Sequence, residues 1–327
     1  MKRALVTGIT GQDGFYLTAL LLDRGYEVHG LVRDASRAAD SEVARLPGRE
    51  PGRHPLRFHV ADLGDARSLA DLLQRSEPDE IYHLAGQTQV ASSFEEPEYT
   101  TEVGALGTLR LLDAARRAGA GARFFHAASS EMFGDADRSP QDEDTPFRPE
   151  NPYAAVKLYA FTMVRIYRRA HGLFACNGIL YNHESPHRAE GFVTRKVARA
   201  AAAIAAGRER TLTLGNLDAR RDWGYAGDFV EGFWNMLQAA EPDDYVLATG
   251  QTHSVRELCD LAFRRVGLDY RDHVRSDPRH ERPFDRHALC GNAARARAKL
   301  GWQPRVGFPE LVGMMVDAES ARLEPGP

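Results

Sequence analysis

A turn with regularly spaced glycines near the N-terminus constrains the fold of this sequence more than any other feature. Residues 3–7 form a short apolar segment typical of a buried strand, and residues 15–22 predict a helix. Between them stand Gly8, Gly11 and Gly14, in the spacing Gly-x-x-Gly-x-x-Gly. Glycines in such a turn let backbone N–H groups approach a pyrophosphate at the helix N-terminus. The segment therefore predicts the first strand–turn–helix unit of a dinucleotide-binding fold.

Strand and helix signals alternate through the first half of the sequence. After the glycine turn, strands are predicted at residues 27–33, 56–61, 80–85, 122–128 and 174–182, with helices at 65–75, 104–119 and 151–170 between them. Such alternation is typical of an α/β fold with a doubly wound parallel sheet of the Rossmann type.

The C-terminal third predicts a second, smaller α/β unit. A strand at 245–249 stands among helices at 192–206, 229–239, 254–266, 293–300 and 309–322. We therefore expect a dinucleotide-binding domain that carries the catalytic residues over 1–180, and a substrate cap over 181–327. The cap should interleave with the first domain, because the strand at 174–182 is expected to return to the main sheet.

Four polar residues are placed for chemistry at the end of the fifth predicted strand and the start of the next helix. Ser129 and Glu131 follow the strand, and Tyr153 and Lys157 begin the helix. Residues four apart share a helix face, and a lysine cation beside a phenol lowers the phenol's pKa, which makes tyrosine a usable general base. Ser129 adds a hydroxyl, and Glu131 adds an independent acid or base. The group predicts hydride chemistry on a nicotinamide.

The ends of the second, third and fourth strands bear on the choice of cofactor. Arg33 would accommodate the 2′-phosphate of NADP, whereas an acidic residue such as Asp34 would bind the ribose 2′-hydroxyl of NAD. Because the arginine comes first, the order favours NADP; a solvated charge pair is the alternative. Asp62 could accept a hydrogen bond from the adenine amine or cap the next helix. Residues 86–88 would lie along the cofactor.

A charged segment at residues 218–223 contains Arg220 and Arg221. A buried arginine there could bind a pyrophosphate through two parallel hydrogen bonds. The alternative is a cluster of salt bridges on the surface.

Composition excludes several other classes of protein. The 327 residues carry a net charge of −4, so no global basic field would recruit nucleic acid. No apolar run approaches membrane-spanning length, and the N-terminus enters a strand without a signal peptide. The three cysteines are too few and too widely spaced for a disulfide framework or a metal site, and residues 183–190 fit no zinc pattern. We expect a cytoplasmic protein without bound metal and without a nucleic-acid or membrane partner.

Nine segments carry a resemblance to a known family. They are residues 7–14, 92–99, 130–134, 152–157, 174–180, 182–186, 192–196, 214–224 and 248–256. Together they cover nearly the whole chain, which resembles the extended short-chain dehydrogenase/reductases and, within them, the GDP-mannose 4,6-dehydratases. The segments at 7–14 and 152–157 are shared by the wider superfamily, whereas those at 182–196 and 214–224 are far more specific.

The resemblance implies dehydration of GDP-mannose to GDP-4-keto-6-deoxymannose. Tyr153 would take the proton of the 4-hydroxyl while hydride leaves C4 for NADP⁺, and Glu131 would remove the C5 proton and help expel the 6-hydroxyl as water. Hydride would then return to C6. Ser129, which stands where the family usually has threonine, would hydrogen-bond the 4-oxygen or relay the proton. Lys157 would orient the nicotinamide ribose and tune Tyr153.

The resemblance also implies binding residues and a homo-oligomer. The residues that match cofactor contacts, besides Lys157, are Gly8, Thr10, Gly11, Gln12, Asp13, Gly14, Arg33, Asp62, Leu63, Leu84, Ala85, Gln87, Tyr99, His183 and Arg188. Those that match nucleotide-sugar contacts are Asn182, Lys196, Arg221 and Arg282. A homodimer or homotetramer is expected.

Other activities on the same scaffold stay open. Another nucleotide sugar could be the substrate of the dehydratase. A nucleotide-sugar 4-epimerase or 4-ketoreductase would need Ser129, Tyr153 and Lys157 but has no use for Glu131. A non-catalytic NADP-binding protein would need none of the four.

Overall fold

The structure is a computed structural model that describes residues 1–46, 55–119, 121–280 and 289–324. Its strands are β1 (Arg3–Thr7), β2 (Glu27–Val32), β3 (Leu56–Val60), β4 (Glu80–His83), β5 (Arg123–Ser129), β6 (Ala175–Leu180), β7 (Asn182–Glu184), β8 (Leu212–Leu214), β9 (Arg220–Arg221), β10 (Trp223–Tyr225), β11 (Asp244–Leu247), β12 (His253–Ser254) and β13 (Val274–Ser276). Its α-helices are α1 (Gln12–Asp23), α2 (Ala35–Asp40), α3 (Ala66–Ser76), α4 (Val90–Glu95), α5 (Pro97–Thr101), α6 (Gly107–Ala118), α7 (Pro152–His171), α8 (Val193–Ala205), α9 (Ala226–Gln238), α10 (Val255–Arg265), α11 (Tyr270–His273), α12 (Ala294–Leu300) and α13 (Phe308–Leu323).

Seven parallel strands form the central sheet, in the order β11-β6-β5-β4-β1-β2-β3. The chain leaves β1 toward β2 and β3 on one side and later toward β4, β5 and β6 on the other. The carboxyl ends of β1 and β4 therefore flank a switch point, which is where open α/β sheets bind ligands. The predicted α/β class with a doubly wound parallel sheet is confirmed, and β6 lies in the sheet as expected.

Helices cover both faces of this sheet. Leu17 and Leu21 of α1, Phe229 and Phe233 of α9, and Trp302 after α12 share one fully buried core on the first face. Helices α3, α6 and α7 cover the opposite face. Leucines of α3 and α6 share a buried core there with Val164 and Tyr167 of α7. Because α9 and β11 come from the C-terminal third, that part of the chain builds sheet and core as well as the cap.

The cap has its own hydrophobic core. Helices α8, α10 and α13 bury apolar side chains against β8, β10 and β13, and Trp223 stacks on Phe308 with ring centroids 5.5 Å apart. Strand β13 pairs parallel with β8, while β12 pairs antiparallel with β9. Strand β10 pairs in parallel with β7, which follows the sheet strand β6 directly in the chain. This last pair attaches the cap to the carboxyl edge of the main sheet.

A buried carboxylate fixes the segment that joins cap and sheet. Asp222 is fully buried and accepts hydrogen bonds from the backbone N–H groups of Thr249 (2.9 Å), Gly250 (2.9 Å) and Gly291 (3.2 Å). The Thr249 hydroxyl donates a fourth bond at 2.6 Å. Three segments distant in sequence therefore meet at Asp222, and its neighbours Arg221 and Trp223 are held in place.

Residues 88–106 differ from the sequence prediction, which placed no helix between the strand at 80–85 and residue 104. They form α4 and α5, followed by one π-helical turn at Glu102–Leu106 that runs into α6. Pro97 occupies the first turn of α5, a position where the missing N–H costs nothing. Helices this short give too few turns for a periodic apolar pattern to be recognised.

Candidate active site

A cavity of about 400 Å³ lies between the carboxyl edge of the sheet and the cap. Its wall includes eleven of the residues predicted for the site: Asp13, Leu84, Ser129, Glu131, Tyr153, Lys157, Asn182, His183, Arg188, Lys196 and Arg221. The four proposed catalytic side chains therefore meet in one space with the cationic residues expected to bind substrate.

The glycine turn is packed too closely for side chains. Gly8 has φ +71°, and a Cβ there would lie 2.8 Å from the backbone nitrogen of Ala85. At Gly14, a Cβ would lie 2.3 Å from the carbonyl oxygen of Ile9. Gly11 is the N-cap of α1, and no side chain caps that helix. The first N–H groups of α1 are thus available to a pyrophosphate, and the residues fit a dinucleotide.

Thr7 connects β1 to the end of β4 at the switch point. Its hydroxyl oxygen accepts from the backbone N–H groups of Leu84 (3.2 Å) and Ala85 (3.1 Å) and lies 2.8 Å from Nδ1 of His83. His83 is buried, and its other nitrogen lies 3.0 Å from the Thr108 hydroxyl. The histidine is therefore a packed structural residue that positions Leu84 and Ala85.

The remaining predicted cofactor contacts lie around this cavity rather than in its wall. Arg33 and Tyr99 are exposed and bonded to each other, with 2.7 Å between Nη1 and the phenol oxygen. Asp62 is exposed and accepts from the N–H of Gly64 at 2.7 Å. Helix α3 is capped by Asp65, so the alternative in which Asp62 caps that helix is wrong. Of the other predicted residues, Gly8, Thr10, Gly11, Gln12 and Gly14 belong to the glycine turn and the start of α1. Leu63 is buried in the core shared with α3 and α6, Gln87 bonds the carbonyl of Gln89, and Arg282 lies outside the described residues.

Helix α7 begins as the sequence predicts, with Asn151 as N-cap and Pro152 at its first position. One turn later Lys157 is buried, and its Nζ donates to the carbonyl oxygen of Ala127 at 2.7 Å. Burial lowers the pKa of Lys157 to about 8, against the smaller raising effect of the Asp13 carboxylate. Lys157 is therefore a cation held at a fixed point beside β5.

The pKa of Tyr153 contradicts the expectation that Lys157 lowers it. Burial raises the pKa of Tyr153 to about 12; the Ser129 hydroxyl lowers it, and the charge of Glu131 raises it again. The Lys157 ammonium is 5.8 Å from the centre of the phenol ring and is bonded to a backbone carbonyl instead. In this arrangement the serine hydroxyl, rather than the lysine, is the group that favours the phenolate.

Glu131 is held at both its backbone and its side chain. It lies in a 3₁₀ turn, Ser130–Phe133, which Ser129 caps by accepting from the N–H of Glu131 at 3.2 Å. The amide Nδ2 of Asn151 donates to Oε2 of Glu131 at 3.2 Å. Ser129 thus contacts both the phenol of Tyr153 and the turn that carries Glu131.

Asp13 and His183 form an ion pair on the cofactor side of the cavity. Oδ2 of Asp13 lies 2.9 Å from Nε2 of His183, and Nδ1 of His183 donates to the carbonyl of Tyr181 at 2.7 Å. Burial alone would lower the pKa of His183, but the Asp13 carboxylate outweighs it and raises that pKa. The imidazole ring stacks on Phe229 with centroids 4.6 Å apart.

Among the described residues of the cap, three cations line the cavity wall. Lys196 of α8 donates to the carbonyl of Thr213 at 2.9 Å, and Arg221 donates to the carbonyl of Arg220 at 2.7 Å. Arg188 lies 3.5 Å above the ring of Phe192 and 3.0 Å from the carboxylate of Glu184. All three are partly buried.

The two neighbouring arginines of β9 have different environments. Arg220 is exposed and bonds the carbonyl and hydroxyl of Thr252 and the carboxylate of Glu257. Arg221 lines the cavity. The surface-cluster interpretation describes Arg220. Arg221 lies in the cavity wall, and its binding of a pyrophosphate stays a prediction.

Sequence reasoning missed several residues of the cavity wall. They are Gln89, Val90 and Ala91 at the start of α4, and Glu184, Thr194, Asn216 and Trp223 in the cap. Glu184 is buried and accepts from the hydroxyl of Thr194. Its place in the segment 182–186, which was already singled out, was the available signal. The α4 residues gave none, because that helix was not predicted.

The histidine and acidic side chains at 183–190 do not converge. His183 bonds Asp13, Glu184 bonds Thr194, and His187 stacks on Phe15 and bonds Glu42. Within the described ranges, we find no group of three or more His, Cys, Asp or Glu side chains arranged to hold a metal ion. None of the helices in those ranges combines the length and apolar character needed to cross a membrane.

Solved structures with the same fold cover almost the whole chain. The UDP-glucose 4-epimerase of Thermus thermophilus, in complex with NAD, is 28% identical with a TM-score of 0.84, over 97% of this chain and 98% of that one. RMD from Pseudomonas aeruginosa, complexed with NADPH, is 26% identical with a TM-score of 0.81, over 98% and 100%. The Rossmann sheet, the glycine turn at its switch point and the Ser–Tyr–Lys group define an extended short-chain dehydrogenase/reductase.

Within that class, the chain belongs to the GDP-mannose 4,6-dehydratase family, whose model matches residues 5–315. It is 50% identical over 324 residues to GDP-mannose 4,6 dehydratase 1 of Arabidopsis thaliana, covering 97% of this chain and 90% of that protein. Identity to GDP-mannose 4,6 dehydratase of Homo sapiens is 44% over 346 residues, covering 99% and 93%. The family predicted from the nine segments is confirmed.

Proposed function

We propose that this protein is an NADP-dependent 4,6-dehydratase that converts GDP-mannose to GDP-4-keto-6-deoxymannose and water. The observation that carries the proposal is the presence of Glu131 in one cavity with Ser129, Tyr153 and Lys157. The last three suffice for oxidation at C4, as in an epimerase or ketoreductase. A separate carboxylate is needed only if a proton leaves C5, which is the step that distinguishes dehydration.

The protein's own residues supply each proton transfer. Tyr153 takes the proton of the 4-hydroxyl, and the Ser129 hydroxyl beside it lowers the pKa of the phenol against the effect of burial. A bound nicotinamide supplies the hydride acceptor at C4 and the hydride donor at C6. Once C4 is a ketone the C5–H bond is acidic, and Glu131 takes this proton. The carboxylic acid of Glu131 then gives the proton to the 6-hydroxyl as the C6–O bond breaks, so water leaves. When hydride returns to C6, C5 needs a proton, and the Tyr153 phenol supplies the one that it took from the 4-hydroxyl.

The charges of the cavity suit a nucleotide diphosphate. Lys196 and Arg221 line it from the cap, opposite the catalytic group. A guanidinium and an ammonium are the side chains that bind phosphate most strongly, and both are here anchored to backbone carbonyls that orient them. We assign Asn182, Lys196 and Arg221 to the substrate and Arg188 with the Asp13–His183 pair to the cofactor.

The preference for NADP rests on Arg33. Its guanidinium is exposed at the end of β2 and is oriented by the phenol of Tyr99. An arginine there accommodates a 2′-phosphate. Arg33→Ala should weaken NADP⁺ binding by about 10-fold or more while NAD⁺ binding changes little, since a charge-assisted pair contributes roughly 1.5–3 kcal/mol. Titration calorimetry with both nucleotides measures this, and equal losses would reject the assignment.

One exposed apolar surface supports a homo-oligomer. Tyr159 and Ile166 of α7 are 39% and 45% exposed, and Phe94 on the neighbouring α4 is 49% exposed. Helices α4 and α5 pack beside α7, so these side chains lie on one face of the molecule. Two copies joined through α7 would bury them. Light scattering after size exclusion should give a dimer or tetramer for the wild type and a smaller species for Ile166→Glu.

The activity is tested by incubating the purified protein with GDP-mannose and NADP⁺, without added reductant. Mass spectrometry should show loss of one water from the sugar nucleotide. Parallel incubations with other nucleotide sugars decide the substrate, and unchanged GDP-mannose beside a dehydrated alternative would reject GDP-mannose. An epimerase would leave the mass unchanged, and a ketoreductase would add two hydrogens. A cytoplasmic site of action fits the three free cysteines, two of which are buried.

A further inference from the structure

Asn151 connects Tyr153 and Glu131, the two ends of the catalytic group. The inference drawn from this contact rests on the function proposed above. The residue precedes Pro152 and Tyr153 in the chain, and its side chain reaches back to Glu131, 20 residues earlier. One amide side chain is therefore bonded to the first turn of the helix that carries the base for C4 and to the carboxylate assigned to C5.

The hydrogen-bonding chemistry fixes the orientation of this amide. Oδ1 of Asn151 lies 2.8 Å from the backbone nitrogen of Ala154, which can only donate, so Oδ1 must be the atom there. Nδ2 then faces Oε2 of Glu131 at 3.2 Å, and a carboxylate can only accept. Both bonds require the same orientation, and a flipped amide would satisfy neither.

We propose that Asn151 is a positioning residue for the C5 step: it presents one oxygen of Glu131 to the substrate by holding the other. In the part of the chain that the structure describes, Asn151 is the hydrogen-bond donor to this carboxylate. Ser129 fixes the backbone of Glu131, and Asn151 fixes its side chain. A closed loop of contacts therefore runs from Tyr153 through Ser129 and Glu131 to Asn151 and back to the start of α7.

Oxidation at C4 and proton removal at C5 should respond differently when the amide of Asn151 is removed. Tyr153 is positioned by the helix, which needs only the cap oxygen of Asn151. Glu131 needs the Nδ2 donor. Serine is also a good N-cap residue but has no donor that can reach Glu131 while its oxygen caps the helix. Asn151→Ser therefore removes the link and keeps the helix.

The experiment compares hydride transfer with C5 exchange in wild type and Asn151→Ser. Reduced nicotinamide in a single turnover reports oxidation at C4, and deuterium uptake from heavy water reports proton removal at C5. In Asn151→Ser we expect C4 oxidation within about 3-fold of wild type and a loss of C5 exchange and of water release of about 10- to 100-fold. Asn292→Ser is the matched control, since Asn292 also accepts from a backbone N–H near a helix start (Ala294, 3.1 Å) but lies outside the cavity wall.

The outcomes separate the inference from the proposed function. Equal losses in both steps, or no loss in either, overturn the role of Asn151 while the wild type remains a dehydratase. A wild type that reduces nicotinamide but neither exchanges C5 nor releases water overturns both. Asn151→Asp adds a pH readout: it keeps the cap but places a second carboxylate beside Glu131. The acid limb of the C5 exchange profile should then move to higher pH, and an unmoved limb contradicts the inference.

Discussion

Oδ2 of Asp13 lies 2.9 Å from Nε2 of His183, although the two residues are 170 positions apart in the chain. Asp13 lies in the first turn of the helix after the glycine turn, and His183 lies on the short strand where the chain leaves the sheet for the cap. Gln12 adds a parallel link, because its amide donates to the carbonyl of His183 at 2.9 Å. The cofactor turn and the entrance to the cap are therefore one connected unit.

Asp13→Asn should remove the ionic part of this link. The pKa of His183 is raised, so its contribution to stability is complete below pH 6.5 and is lost as pH rises through the folded-state value. The pKa of Asp13 is lowered, so its contribution is lost only as pH falls below about 3.8. Urea unfolding should give Asp13→Asn a free energy of unfolding about 2–4 kcal/mol below that of wild type near pH 6, and the difference should shrink at higher pH.

The matched control for this measurement is Asp317→Asn. Asp317 pairs with Arg265 at 2.6 Å, but both side chains are 54% exposed. Exposed pairs contribute about 0–1 kcal/mol, so this variant should differ little from wild type. A difference between Asp13→Asn and wild type that did not change with pH would contradict the ionic origin of the link.

Lys157→Met should stabilise the ligand-free protein while abolishing turnover. Burial lowers the pKa of Lys157 from 10.5 to about 8, so the folded state binds fewer protons than the unfolded state between those values. The penalty of the buried charge is complete below pH 8 and falls as pH rises toward 10.5. With the lost hydrogen bond to Ala127 included, we expect the free energy of unfolding of Lys157→Met to exceed that of wild type by about 1–3 kcal/mol at pH 7 and by less at pH 9. Thermal unfolding at both pH values measures it; a destabilised variant at pH 7 would contradict the assignment of a buried cation that costs stability.

Glu131→Gln should separate the two halves of the reaction. Gln keeps the size of the side chain but cannot take the C5 proton, whereas Tyr153 and Ser129 are unchanged. We expect reduced nicotinamide to form from GDP-mannose and water release to fall by at least about 100-fold. Product mass and nicotinamide absorbance in the same reaction check this. A variant that dehydrates at the wild-type rate would remove Glu131 from the mechanism.

Two helical glycines should respond in opposite directions to alanine. A Cβ at Gly14 of α1 would lie 2.3 Å from the carbonyl oxygen of Ile9, so Gly14→Ala forces the glycine turn to move and should weaken dinucleotide binding as well as stability, by about 2 kcal/mol or more. At Gly313 of α13 no heavy atom of the described residues, apart from the adjoining helix backbone, lies within 4 Å of the added carbon. Gly313→Ala should stabilise by about 0.5–1 kcal/mol. Thermal unfolding and cofactor titration of both variants distinguish the two effects.

The sequence was most informative where local chemistry and local structure coincide. The glycine turn, the strand ends and the cap of α7 each depend on a few adjacent residues, so these elements and the Tyr153–Lys157 pair could be placed before the structure was known. The parallel, doubly wound class of the central sheet also followed from the alternation of strands and helices. Residues 182–196 and 214–224 identified the family, because their resemblance to it is specific.

The parts that the sequence did not predict depend on contacts between distant residues. Nothing near Asp13 in the chain indicates that His183 will be its partner. The pKa of Tyr153 depends on burial and on the Ser129 hydroxyl and Glu131 charge beside it, and Lys157 bonds the carbonyl of Ala127 instead; none of this is visible in the spacing of Tyr153 and Lys157. The link from Asn151 to Glu131 was missed for the same reason: the cap function of Asn151 explained that residue, and its second bond had no local sign.

The position of β11 has a consequence for how this protein is made. Strand β6 ends at Leu180, but the strand that covers its free edge is not synthesised until Leu247, and Trp302, which buries its indole against α9, comes later still. At the usual pace of translation, about 5–20 residues per second, the nascent sheet waits for several seconds with an uncovered edge. An open parallel edge of apolar residues is a template for pairing with other chains. Yield in cells should therefore depend on chaperones that bind the nascent chain, and slow codons placed between residues 180 and 247 should increase aggregation even though the mature protein is unchanged.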